Sequence, residues 1–158
     1  MMGESVFTVN WDEIPWYSKL ELAEHQLERA ITLFLDEKDY ISSITLAGAS
    51  EEILGKLLIK NGQEHELKGL ENAFALEYGQ GWEEHKTWLT YDANYYRDNL
   101  KHLEPKPPKG DLPEEANIDS IPIYPEAAIK MIDRALVNYW KVTGKQSKSM
   151  IRYYNVRG

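Results

Sequence analysis

Apolar residues recur along most of this chain at three- and four-residue steps, the period of helices that bury one side. Leu20, Ala23, Leu27, Ala30, Ile31 and Phe34 form one stripe, with Glu21, Glu24, Glu28 and Arg29 set apart from it. They predict a helix over Trp16–Lys38, behind Pro15. A second, mostly apolar helix is expected over Asp39–Lys60, stopped by Asn61-Gly62. It holds small residues, Ala47-Gly48-Ala49-Ser50 and then Gly55, which let another helix approach closely. A weaker helix is expected over Leu67–Tyr78, before the turn Gly79-Gln80-Gly81. The next starts near Glu83 and runs to His102, with Leu89, Ala93, Tyr96, Leu100 and Leu103 as its core stripe. The last main helix runs from Pro125 through Trp140, with Ala128, Ile132, Ala135, Leu136 and Tyr139 inward. The expected fold is all-α: one domain over 1–158, an up-and-down bundle of four to five antiparallel helices.

Three segments fall outside this pattern. Residues 1–15 read as an irregular arm. Pro105 to Pro125 hold six of the seven prolines and predict a long extended loop before the last main helix, a flap or a mobile excursion. Residues 142–158 read as a basic, aromatic tail.

Two positions break the division of apolar and polar faces. The helix ending at His102 has a second face of Trp88, Tyr91, Tyr95, Asp98 and His102, aromatic and polar together. That stripe suits a homodimer contact. Asp98 and His102 are four apart, so the carboxylate can hold the imidazole. Glu52, Lys56 and Lys60 share a solvated face of the second helix, but Glu51 projects beside Tyr40, Ile44, Leu54 and Leu58. A carboxylate there needs a partner. Glu51 is either one half of a structural ion pair or a support that orients Arg97 or a catalytic group.

Composition narrows the chemistry. With no Cys there is no disulfide framework or thiolate metal site. No Glu stands three residues before any His, as a di-iron bundle requires. His65-Glu66-Leu67-Lys68-Gly69 lacks the second His of a zincin, and no phosphate loop or nucleophile elbow is present. Nothing points to a cofactor. His25, among acidic residues, reads as solvated, and His65 and His85 are assigned no role. The N-terminus lacks a secretory pattern, and no apolar run is long enough for a membrane span, so a cytoplasmic protein is expected. The net charge of −8 argues against broad, charge-driven nucleic-acid binding. The segment from Lys141 to Gly158 is the exception, with five basic residues and no acid.

Arg97-Asp98-Asn99-Leu100-Lys101-His102 is an Arg, a polar residue and a His after four intervening positions, on a late helix of an all-helical chain. It resembles the signature of the HEPN superfamily, small helical bundles of which many are metal-independent ribonucleases acting as dimers. The resemblance implies that Arg97, Asp98, Asn99 and His102 are catalytic. Arg97 and His102 lie about 140° apart around an ideal helix, so one straight helix cannot turn both onto one ligand. They could converge if the helix bends, or if a second copy of the chain supplies one of them; a dimer would bring two sets into one cleft. His102 would serve as base or acid, Arg97 would stabilise phosphorane charge, and Asp98 or Asn99 would orient His102 or the phosphate. RNA is then the expected partner. Arg152 and Arg157 in the tail would meet phosphates while Tyr153 and Tyr154 stack on bases. The family also implies a toxin or phage-defence role, with an antitoxin or another protein as partner. In toxins silenced by a nucleotidyltransferase partner a Tyr follows the His by two positions; here that position is Glu104. The reading from another class is a non-catalytic helical module that binds a protein partner or a nucleotide.

Overall fold

A computed structural model describes residues 9–102 and 120–158, apart from a few side chains between 80 and 88. Six α-helices follow one another: α1 (Lys19–Thr32), α2 (Tyr40–Lys60), α3 (Glu66–Tyr78), α4 (Trp82–Lys101), α5 (Pro125–Thr143) and α6 (Lys148–Arg157). The chain is an all-α bundle, as its periodicity predicts. None of its described helices is long and apolar enough to cross a membrane.

Local signals set the boundaries. Ser18 caps α1 in a reciprocal box with Glu21, so the helix begins at Lys19 and leaves Trp16 outside it. After α1 a single π-helical turn over Leu33–Glu37 ends on Lys38, whose φ of 55° is left-handed. Asp39 then accepts the Ser42 N–H at 3.0 Å and starts α2. This tight reversal lays α1 and α2 antiparallel. Ser43 Oγ donates to the Ala30 carbonyl at 2.9 Å, and Ser50 Oγ to that of Ala23 at 2.8 Å. Each step of seven residues up α2 matches seven down α1. Both hydroxyls are buried and satisfied, so small polar residues here tie two helices together.

α2 occupies the middle. It packs on α1 and, most extensively, on α5. The α2–α5 seam runs in one direction: Ile44 sits with Ala127 and Ala128, Glu51 with Arg134, and Gly55 with Asn138. The neighbours of α2 are therefore not all antiparallel. The main core gathers Leu27, Ile31, Leu54, Ile132, Met150 and Tyr153 from α1, α2, α5 and α6. On the other side of α2, Tyr96 and Leu100 of α4 close a smaller cluster around Ile44.

The segment expected as a basic tail contains α6, capped by Ser147, and it buries Met150 and Tyr153 in the core. The Pro-rich loop lies outside the described residues over 103–119. Residues 120–124 lead into α5, which has Pro125 in its first turn.

Candidate functional site

The residues that resemble a catalytic motif sit where α4 crosses α2. Arg97 points at α2, and its stem passes directly over Gly48. A Cβ on Gly48 would lie 2.8 Å from Arg97 Cγ, closer than van der Waals contact allows. The small-residue run in α2 thus makes room for one long side chain. Beyond it, Arg97 Nη1 lies 3.4 Å from Glu51 Oε2, while Nε donates to Asp98 at 3.1 Å. Arg97 is 15% exposed and Glu51 only 6%.

Glu51 is shared. Its other oxygen accepts from Arg134 Nη2 of α5 at 2.8 Å. Arg134 also donates to the Ala93 carbonyl and to Asn94 Oδ1, which ties α5 to α4. Asn138, one turn further, bridges the Glu51 carbonyl and the N–H of Glu66 at the start of α3. The Glu51 carboxylate therefore joins α2, α4 and α5, and its main-chain carbonyl, through Asn138, brings in α3. Both readings of Glu51 raised by the sequence meet here: it is half of a structural ion pair, and it holds Arg97. Sequence reasoning misses Arg134 and Asn138. Their signal is a second stripe on α5, Ala127, Met131, Arg134 and Asn138, beside the inward stripe of Ala128, Ile132 and Ala135.

Asp98 and Asn99 do not hold His102. The Asp98 carboxylate is on Arg97, and Asn99 Nδ2 donates back to the Tyr95 carbonyl at 2.9 Å. The expected Asp98–His102 side-chain pair is absent among the described residues. The reason is local: His102 ends α4 with extended backbone, φ −127° and ψ 136°, so its side chain leaves the face that four-residue spacing assumes. Its N–H still bonds the Asp98 carbonyl at 3.0 Å, and its side chain is exposed.

Of the four C-terminal residues expected to meet RNA, Tyr153 is inward and Arg152 and Arg157 are ion-paired. Tyr153 is fully buried, and its hydroxyl donates to Asp133 at 3.0 Å. Burial pushes the phenol well above its ordinary range. A ring in that place has no face open to a base, so stacking on RNA does not fit Tyr153. Arg152 grips Asp36 through both terminal nitrogens, and Arg157 meets Asp133 at 2.7 Å. Tyr154 is partly exposed. Of the aromatic face expected to form a dimer contact, Tyr91 and Tyr95 pack edge to face, and the side chain of Trp88 lies outside the described residues.

A cleft of about 150 Å³ opens over the Glu51 junction, lined by Glu51, Glu52, Lys56, His65, Arg97 and Arg134 among others. Its three cations outnumber its two carboxylates, in a chain of net charge −8. Lys56 bonds Glu52 at 2.9 Å and holds that carboxyl below its ordinary range, with Lys101 and Arg97 adding to the effect. A larger cavity of about 440 Å³ lies between α3, α4 and α5, against Phe74, Leu89, Tyr96 and Met131; Arg134 borders both spaces. The larger one is mostly apolar, and the charged motif lines the smaller. Among the described residues no cluster of three or more acidic or imidazole side chains is placed to hold a metal ion. No protein-family model matches the chain, and neither a curated protein nor a solved structure resembles it significantly.

Proposed function

We propose that this chain is a metal-independent endoribonuclease of the HEPN type that works as a homodimer. The observation that carries the reading is the setting of Arg97. A buried carboxylate fixes its guanidinium at the floor of a small, net positive cleft, with Nη2 making no hydrogen bond among the described residues. A preoriented cation of this kind suits the charge that builds on a phosphorane. His102 stands exposed at the end of the same helix, where it can exchange protons with substrate. Because the two diverge along α4, the reaction takes His102 from one copy and Arg97 from the other. Attack by the ribose 2′-hydroxyl expels the 5′-oxygen and leaves a 2′,3′-cyclic phosphate. The test is incubation of the purified protein with single-stranded RNA in excess chelator. Fragments with 2′,3′-cyclic or 3′-phosphate ends are expected, with DNA left whole. RNA that stays intact across diverse sequences rejects the proposal.

A second reading is favoured by the larger cavity. At about 440 Å³, with Phe74, Tyr96 and Tyr124 in its lining, it has the size and aromatic character of a small-ligand pocket. A non-catalytic module would bind a nucleotide there, or a protein partner over it. Saturable nucleotide binding lost on Tyr96→Ala, without RNA cleavage, would establish this reading instead.

A further inference from the structure

His65 has no part in the resemblance and no motif around it, yet it lines the same cleft as Arg97. Its place follows from α2, α3 and α5 together. A Cβ on Gly55 would sit 3.6 Å from His65 Cβ and 3.7 Å from Asn138 Nδ2, ordinary contact distances, so both residues pack on α2 at this position. Asn138 then anchors the next residue by accepting the Glu66 N–H at 2.7 Å. His65 is the N-cap of α3: its Nδ1 accepts the Lys68 N–H at 3.3 Å. That bond assigns the tautomer. A ring whose Nδ1 accepts must carry its proton on Nε2, which is then a donor. Nε2 makes no hydrogen bond among the described residues.

The other polar groups of the cleft are mostly committed. Glu51 is shared by two arginines, and Glu52 lies between Lys56 and Lys101. The donors left over are the Nη2 edge of Arg97, His65 Nε2 and the Nε of Arg134, of which the last is buried. The space, about 150 Å³, equals roughly five waters at about 30 Å³ each. That admits a tetrahedral oxyanion.

We infer that His65 and Arg97 together bind one phosphate group of the RNA substrate, His65 through Nε2–H and Arg97 through its free edge. The inference rests on the nuclease reading for the identity of the ligand, but not for the binding itself. His65 is a binding residue here and transfers no proton.

His65→Asn separates this role from capping. Asn places an acceptor where Nδ1 was and caps a helix well, but it has nothing in place of Nε2. It should raise the KM for RNA about ten- to a hundredfold, the effect of one hydrogen bond to a charged group, and leave kcat nearly unchanged. A purely structural role would leave KM alone. The imidazole resonances of His65 in the full-length protein, assigned with His65→Asn, give a readout that needs no cleavage. Inorganic phosphate and a 2′-O-methyl oligonucleotide, which cannot be cleaved, should each shift them saturably, and Arg97→Ala should weaken both responses. An oligonucleotide that binds without moving His65, or a response to free phosphate alone, overturns the inference while wild-type cleavage still supports the nuclease. Shifts with both ligands but no cleavage support the site and sink the nuclease.

Discussion

Glu51 and Arg97 meet across the α2–α4 crossing, 3.4 Å apart, with Arg134 on the other oxygen of the same carboxylate. Breaking a buried ion pair from one side typically costs about 3–5 kcal/mol, because the remaining charge keeps its desolvation penalty. Glu51→Gln leaves two guanidiniums without their carboxylate. We expect a stability loss of that order by urea denaturation, and loss of any RNA cleavage under conditions where the variant is still folded. A change below about 1 kcal/mol, the size of an ordinary exposed pair, would mean that the junction does not depend on this charge.

Gly48→Ala sets two effects against each other. Alanine is a better helix former than glycine by about 1 kcal/mol, and crowding in a packed interface typically costs about 1–3 kcal/mol. Stability should therefore move by less than about 2 kcal/mol, the difference between these opposing effects. The new methyl must push aside the Arg97 stem, whose Cγ and Cδ lie 2.8 and 3.1 Å away. Activity and phosphate binding should fall in the direction of Arg97→Ala. Wild-type activity in a stable Gly48→Ala protein would show that the position of Arg97 is unimportant.

The C-terminal segment tests burial against surface chemistry. Were it a basic tail, residues after Ser147 would be removable without unfolding the bundle. With Met150 and Tyr153 fully buried, the truncation instead strips side chains from the core. Tyr153→Ala alone should cost about 3–5 kcal/mol, as for other large core residues. An unchanged denaturation midpoint would place α6 outside the cooperative unit.

The α2 cap has a pH signature. Hydrogen bonds from the Ser42 hydroxyl and then its backbone N–H hold the Asp39 carboxyl below the ordinary aspartate range. A carboxyl lowered by folding contributes stability that is complete above its unfolded value. That stability is lost as pH falls through the folded value. Asn caps a helix as well as Asp but does not titrate. Stability of Asp39→Asn should therefore fall less steeply in acid than that of wild type, with the curves parallel near neutrality. Identical acid limbs would deny the cap any charge contribution.

What can be read from sequence divides along the range of the signals. The main helices follow from 3.6-residue periodicity, and Ser18, Asp39, Gly144 and Ser147 stand at their ends as local caps. Glu51 stands out because a carboxylate on an apolar face needs a partner. That the partners are Arg97 and Arg134, 46 and 83 residues away, is a matter of packing that no local pattern carries. α5 is buried on more than one side, so its polar stripe of Arg134 and Asn138 reads as surface. α6 stays hidden because only Met150 and Tyr153 of its ten residues are buried, too few for a visible stripe. The Asp98–His102 pair fails because four-residue spacing holds only while the helix continues, and α4 stops at Lys101. His65 carries no local signal at all, since only the approach of α3 to Gly55 brings it to the cleft.

The most direct test compares cleavage of single-stranded RNA by wild type, Arg97→Ala and His102→Ala in excess chelator, with circular dichroism to confirm that each is folded. His102 is exposed at a helix end, so its loss should leave the fold intact. Wild type should cleave. His102→Ala should be inactive, and Arg97→Ala should be slower by about 10²–10³, the usual effect of removing one donor to a developing oxyanion. Intact RNA with wild type, or equal rates with His102→Ala, would contradict the nuclease.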